Sequence, residues 1–226
     1  MTATCAMMAG GPQHFARPLP DSLPLFPLTG VLLLPRGLLP LNIFEPRYLN
    51  MVDDALAGDR LIGMIQPIEA EPSGFNPRLY KTGCAGRIVS FAEEGERYII
   101  TLVGVCRFDI IEATATSRLY RRATPVWTQY RDDLTGIAEA PPIDRKRLLA
   151  GLKPFFQVRG VTIDWKAIEA TSDDRLITTL AMICPFAAAE KQSLLQAPAL
   201  AERARLLTDL VEMALLERPG GGTVHH

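Results

Sequence analysis

The hydrophobic pattern of this chain changes period once, across residues 131–142, and that change decides the fold class. Before it, apolar residues come in short runs broken by proline and glycine. After it, every periodic segment repeats at helical spacing. A chain so ordered is α+β: a small coiled sheet or partly open barrel with one interleaved helix, then a helical bundle. The sequence divides into a tail over 1–22, a β-rich subdomain over 23–130 and a linker over 131–142 (RDDLTGIAEAPP). A helical subdomain over 143–217 and a second tail over 218–226 complete it.

Within the β-rich part, Leu38 to Leu56 (LLPLNIFEPRYLNMVDDAL) switches from strand to helix. Leu38, Leu39, Leu41, Ile43 and Phe44 form an apolar run, with Phe44 and Tyr48 expected in the core. Pro46 suits a first helical turn, where its missing N–H has no partner to lose. Tyr48, Leu49, Val52, Ala55 and Leu56 then make one stripe, and Gly58 stops the helix. Upstream, Pro24, Pro27 and Pro35 interrupt LPLFPL and VLLLP; each removes a ladder hydrogen bond, which predicts edge strands or barrel corners. Leu61 to Pro67 reads as a strand. Gly83 to Phe91 and Arg97 to Gly104 read as a hairpin turning at Gly95. VCRFDIIEA sets Cys106, Phe108 and Ile110 on the face opposite Arg107, Asp109 and Ile111. Leu119 to Trp127 closes the set; Pro125 predicts an edge or bulge, and Arg121 and Arg122 a solvated strand edge.

The second half predicts four or five short helices. Leu148, Leu149, Leu152, Phe155 and Phe156 keep helical spacing, although Pro154 should kink or end that helix. Asp164 and Ser172 are candidate caps, and Pro185 is a stop. Pro198 opens a last helix that buries Leu200, Ala204, Leu207, Val211, Ala214 and Leu215, with Glu202, Arg203, Arg205 and Glu212 facing water.

A formal net charge of −1 gives no general attraction to nucleic acid or to an anionic membrane, and no apolar run of about 18 residues could span a bilayer. The first residues lack the basic and apolar regions of a secretory signal, so a cytoplasmic protein is expected. Cys5, Cys84, Cys106 and Cys184 show no CxxC pair and read as reduced, mostly buried thiols. GxxxxGK[ST], GxSxG and HExxH are all absent. The three histidines, His14, His225 and His226, fall in the tails, which leaves no folded histidine to serve as general base or metal ligand, and no local motif points to a Ser/Lys dyad or a carboxylate pair. The chain is therefore expected to have no catalytic residues, cofactor or metal.

The candidate contact residues are Phe75, Tyr80, Arg47, Glu45 and Arg36. Phe75 and Tyr80 lie in a Pro/Gly-rich loop over 69–82, as suited to a binding loop as to an ordinary connection. Arg36 begins a turn with Gly37. Glu45 sits where it complements a helix dipole or caps it, and Arg47 where it pairs with Glu45 or Asp53.

The words LPLFPLTGVLLLPRGLLPLNIFEPRY, NMVDDAL, LIGMIQP, GCAGRI, RYIITLVGVCRFDI and TLAMICPFAAAEKQSLLQAPALAERARLL, in that order, resemble the N-terminal substrate-binding domain of ATP-dependent Lon protease. The resemblance runs from about Leu23 to Leu216. It implies a pseudo-barrel of about six strands with one helix, followed by a helical bundle. The ATPase module and Ser/Lys peptidase domain that follow this region in the protease have no counterpart in these 226 residues. The resemblance thus implies a stand-alone, non-catalytic module that binds unfolded or tagged polypeptide. A groove between the β subdomain and the bundle is expected to accept it, with the Pro-rich strands near Leu25 to Leu41 and the loop around Phe75 as the candidate surface. The rival is an adaptor that docks on a folded partner such as a protease or ATPase assembly; a hydrolase with an unrecognised site ranks third.

Overall fold

The computed structural model describes residues 18–69, 76–135, 143–161 and 164–216. Both tails beyond these limits, Phe75 and residues 136–142 of the expected linker lie outside them. Six strands, β1 Leu23–Pro27, β2 Leu38–Ile43, β3 Leu61–Ile65, β4 Thr82–Glu94, β5 Arg97–Ala115 and β6 Arg121–Val126, form one sheet in the order β2-β5-β4-β3-β1-β6. Pairing between β5 and β6 closes five of them into a barrel and leaves β2 outside the ring, against β5. The fold is the expected barrel followed by helices. β5 serves two structures. Its first half makes a three-stranded ribbon with β2 and the end of β4; its second half belongs to the barrel wall.

The expectation for Pro125 holds: a register shift in β5 between Ile110 and Ala113 sits beside it. Pro40 lies in β2, an edge strand. β1 does not conform, because it is flanked by β3 and β6. Its two ladders are offset: β6 covers Leu23–Leu25 and β3 covers Leu25–Pro27. The Leu28 N–H donates to the Ile65 carbonyl at 3.0 Å, which fixes the alternation. Pro24 then turns its nitrogen toward β3 and Pro27 toward β6, each beyond the end of the ladder on that side. A proline is tolerated in an inner strand where no bond was due.

α1 Pro46–Ala57 starts at Pro46 and ends at Gly58 as expected, burying Tyr48, Met51, Val52 and Ala55. Phe44 is not core; it is 64% exposed. β2 alternates with Ile43 inward, so its successor points out. Nor is β6 a solvated edge. Arg121 donates to the Pro77 carbonyl (2.8 Å), and Arg122 to the Ser22 hydroxyl (2.9 Å) and carbonyl (3.0 Å).

A 3-10 helix, Thr128–Leu134, occupies the first residues of the expected linker. Five α-helices follow: α2 Arg145–Val158, α3 Trp165–Ala170, α4 Asp173–Ile183, α5 Ala188–Gln196 and α6 Leu200–Leu216. α2 runs through Pro154 instead of ending there. The carbonyl that Pro154 leaves unbonded belongs to Ala150, which is exposed to water, while Leu152, Phe155 and Phe156 hold the helix to the core. Asp164 caps α3, accepting from the N–H groups of Lys166 and Ala167. Ser172 stands at the N-cap of α4 without a side-chain cap bond. Arg203 does not face water. It is buried and donates to the carbonyls of Leu194 (2.9 Å) and Ala197 (3.2 Å), which α5 leaves unpaired at its C-terminal end. Burial, with Arg107 nearby, lowers its pKa to about 10.

One apolar cluster runs from Phe26, Leu32 and Ile62 of the β half to Leu152, Leu176 and Leu207 of the helices. Polar bridges reinforce the seam. Gln66 donates to the Ala188 carbonyl (3.0 Å) and to Gln192 (3.1 Å), and Gln192 donates to the Thr82 carbonyl (3.1 Å). The groove expected between the two halves is filled there by shared core. Cys84, Cys106 and Cys184 are free and buried, as expected.

Asp109 holds the 3-10 helix to the barrel. It accepts from Thr82 (2.8 Å), Gln129 (2.6 Å) and Tyr130 (3.2 Å), with Lys81 at 3.3 Å. Burial pushes its carboxyl up, but the bonds from Thr82, Lys81 and Gln129 outweigh that and its pKa is lowered. A depressed folded-state pKa means stability that is present above about pH 3.9 and lost as pH falls through the folded value. Asp109→Asn is therefore expected to flatten the acid limb of a urea-stability profile, with the largest deficit at neutral pH.

Candidate functional site

An open apolar surface lies within the β half, where the ends of β1 and β2 meet the start of α1. A cleft of about 340 Å³ is lined by Phe26, Pro27, Leu28, Leu41, Ile43, Phe44, Tyr48, Pro67 and Pro77, with Thr29, Asn42, Glu45 and Arg47 as its polar members. The rings of Phe26 and Tyr48 meet at a 50° tilt with centroids 4.5 Å apart and form its buried side. Phe44 stands at the rim, because the β2 alternation turns it outward just before Pro46 starts the helix.

Glu45 is the N-cap residue of α1 but makes no side-chain cap bond. Its Oε2 accepts instead from Arg47 Nε (3.0 Å) and a terminal nitrogen (2.8 Å), and the Arg47 guanidinium lies 4.5 Å over the Tyr48 ring. Of the two partners expected for Arg47, Glu45 is taken. Burial pushes the Tyr48 phenol up, with Arg47 opposing and Glu45 adding. Burial likewise lowers the Arg121 guanidinium, which braces the cleft through the Pro77 carbonyl. Its two charged lining residues, Glu45 and Arg47, neutralise each other beside aromatic side chains, an arrangement suited to binding apolar groups.

The structure thus brings Glu45 and Arg47 together in the cleft, whereas Tyr80 belongs to the loop stem that supplies Pro77 to it. Tyr80 is half-buried, and its N–H donates to the Gln66 carbonyl at 2.9 Å. With the Ile68-to-Arg78 backbone bond (2.9 Å) and the Pro67–Leu79 bridge, it pairs the stems of the loop. Arg36 lies elsewhere: it takes a left-handed φ of 65° and reaches the Asp133 carbonyl at 3.2 Å. Sequence reasoning missed Phe44, expected in the core, as a cleft residue. Among the described residues no group of three His, Cys, Asp or Glu could hold a metal ion.

The family model for the ATP-dependent protease La (LON) substrate-binding domain matches residues 22–213. The chain belongs to the LON substrate-binding domain family. The Lon protease of Anaeromyxobacter dehalogenans is 24% identical over 196 residues, covering 85% of this chain and 23% of that protein. The Lon protease of Syntrophus aciditrophicus is 32% identical over 100 residues, covering 42% of this chain and 12% of that protein. The chain thus spans under a quarter of the length of these LON relatives. Two solved LON-type structures share its fold. The Lon N-terminal domain protein of Xanthomonas campestris has a TM-score of 0.57 at 21% identity, covering 88% of this chain and 99% of that one. The N-terminal domain of Mycobacterium avium complex Lon protease has a TM-score of 0.57 at 18% identity, covering 84% and 98%. What matches is a LON substrate-binding domain, a non-catalytic module. No helix among the described residues is long and apolar enough to cross a membrane.

Proposed function

We propose that this chain is a polypeptide-recognition module that binds unfolded or partly folded protein without cleaving it, in the cleft beside the start of α1. The observation that carries this reading is Phe44: a large aromatic side chain, 64% exposed, at the mouth of an apolar cleft whose charges are internally paired. Exposed apolar surface at a concave site marks a place for another apolar group. Family membership supports substrate recognition as the task.

The test is fluorescence anisotropy of a labelled, permanently unfolded polypeptide titrated with the protein, beside a folded control. Saturable binding to the unfolded chain alone is expected. Phe44→Ala should weaken it about 10- to 30-fold, as loss of an aromatic anchor does, and leave the melting temperature unchanged because the side chain is outside the core. Tight binding of a folded protease or ATPase assembly with none of the unfolded chain would assign the adaptor role instead.

A further inference from the structure

Past Ile88, β4 loses its second neighbour. β3 pairs with Cys84–Arg87 only, and the last bond on that side runs from the Ile88 N–H to the Arg60 carbonyl at 2.8 Å. Among the described residues, Ser90 to Glu94 pair with β5 alone. Glu94 and Arg97 flank a two-residue turn, and the residues flanking such a turn form a hydrogen-bonded pair. By alternation the N–H and C=O groups of Phe91 and Glu93 point away from β5. Val89 and Phe91 are themselves 44% and 41% exposed.

The sheet's opposite margin, on β2, is closed to strand addition. The Gly37 carbonyl accepts from the Gly104 N–H at 2.9 Å, so the odd-numbered residues of β2 turn toward β5. Pro40 then places its ring nitrogen outward, in the middle of the edge, where a donor is needed. The β4 margin contains no proline. It ends instead in three exposed carboxylates, Glu93, Glu94 and Glu96, against one exposed guanidinium, Arg97.

We propose that this edge of β4, from Val89 to Glu94, is a second docking surface, which takes an extended polypeptide segment bearing Lys or Arg residues by strand addition. The backbone groups of Phe91 and Glu93 pair with any sequence, and the carboxylates select the sign of charge. The surface is distinct from the cleft: Phe91 and Glu93 lie across β5 from Leu41 and Ile43, on the other margin of the ribbon.

The test uses the full chain and three labelled hexapeptides: Thr-Val-Thr-Val-Lys-Lys, its Glu-Glu counterpart, and the basic peptide N-methylated at alternate residues. Saturable binding of the basic peptide is expected. The acidic and the methylated peptides should each bind at least about tenfold more weakly, the latter because donors for the edge are gone. Glu93→Lys with Glu94→Lys should invert the charge preference, and Phe44→Ala should leave it unchanged. A matching melting temperature shows the double variant folded, and the three-peptide comparison on the unaltered chain stands without it. Equal binding of all three peptides, no binding, or a preference that survives the double substitution overturns the proposal. So does concentration-dependent dimerisation that the double substitution abolishes, which would give the edge to a second copy.

Discussion

Replacing Asp133 with alanine is expected to destabilise the chain by about 3–5 kcal/mol, because it strands a buried guanidinium. Arg107 is 7% exposed at its side chain and Asp133 10%. Arg107 gives Nε and its own backbone N–H to one Asp133 oxygen, each at 2.9 Å, and a terminal nitrogen to the other at 2.9 Å. Its remaining donors reach the carbonyls of Ala197 (2.8 Å) and Leu195 (3.2 Å) at the end of α5. One side chain therefore ties β5, the 3-10 helix and the bundle together. Without the carboxylate, the charge stays among carbonyls and a 4.8 Å contact with the Tyr130 ring. Urea denaturation checks the figure. Replacing both partners with apolar residues of similar volume, Arg107→Met with Asp133→Leu, should recover most of the loss, since a buried pair is far costlier to break than to replace. A double variant no better than the single one would contradict that reading.

Gly104→Ala is expected to cost about 3 kcal/mol or more, at the upper end of overpacking substitutions. An added Cβ would sit 1.9 Å from the Leu34 carbonyl oxygen and 2.7 Å from its carbon. Both are backbone, so no side-chain rotation relieves the contact. Gly104 also marks where β5 passes from the ribbon to the barrel. The β4 register shifts opposite it, between Ala85 and Gly86, and its N–H and C=O bond to Gly37 and Arg36. Relief would have to move the whole 34–37 turn. At about 2–4 °C per kcal/mol for a chain of this size, the melting temperature should fall by about 6–12 °C. A shift under 2 °C would mean the turn yields freely.

The two-part architecture, α1, the hairpin at Gly95 and the Asp164 cap were legible because each is written in residues close together in sequence. The charged side chains that hold the parts together were not. Arg107 finds Asp133 26 residues away and Leu195 88 residues away. Arg203 follows a helical pattern whose outer positions are ordinarily solvated, and only the approach of α5 covers it. Arg121 and Arg122 read as an edge because barrel closure between β5 and β6 leaves no local mark. For Phe44 a signal was present. Leu39, Leu41 and Ile43 alternate inward, which places Phe44 outward, but the unbroken apolar run masked that period. That the seam between the halves is filled was illegible for the same reason as the arginines: whether a seam is open depends on contacts between distant segments.

The central claim, that unfolded polypeptide is held in the cleft beside α1, is tested most directly by amide chemical shifts of isotope-labelled protein titrated with an uncharged unfolded polypeptide. Saturable shifts concentrated at Leu28, Thr29 and Leu41 to Tyr48, with the α2–α6 amides unmoved, are the expected result. Shifts confined to the helical half, or none at saturating polypeptide, would contradict it.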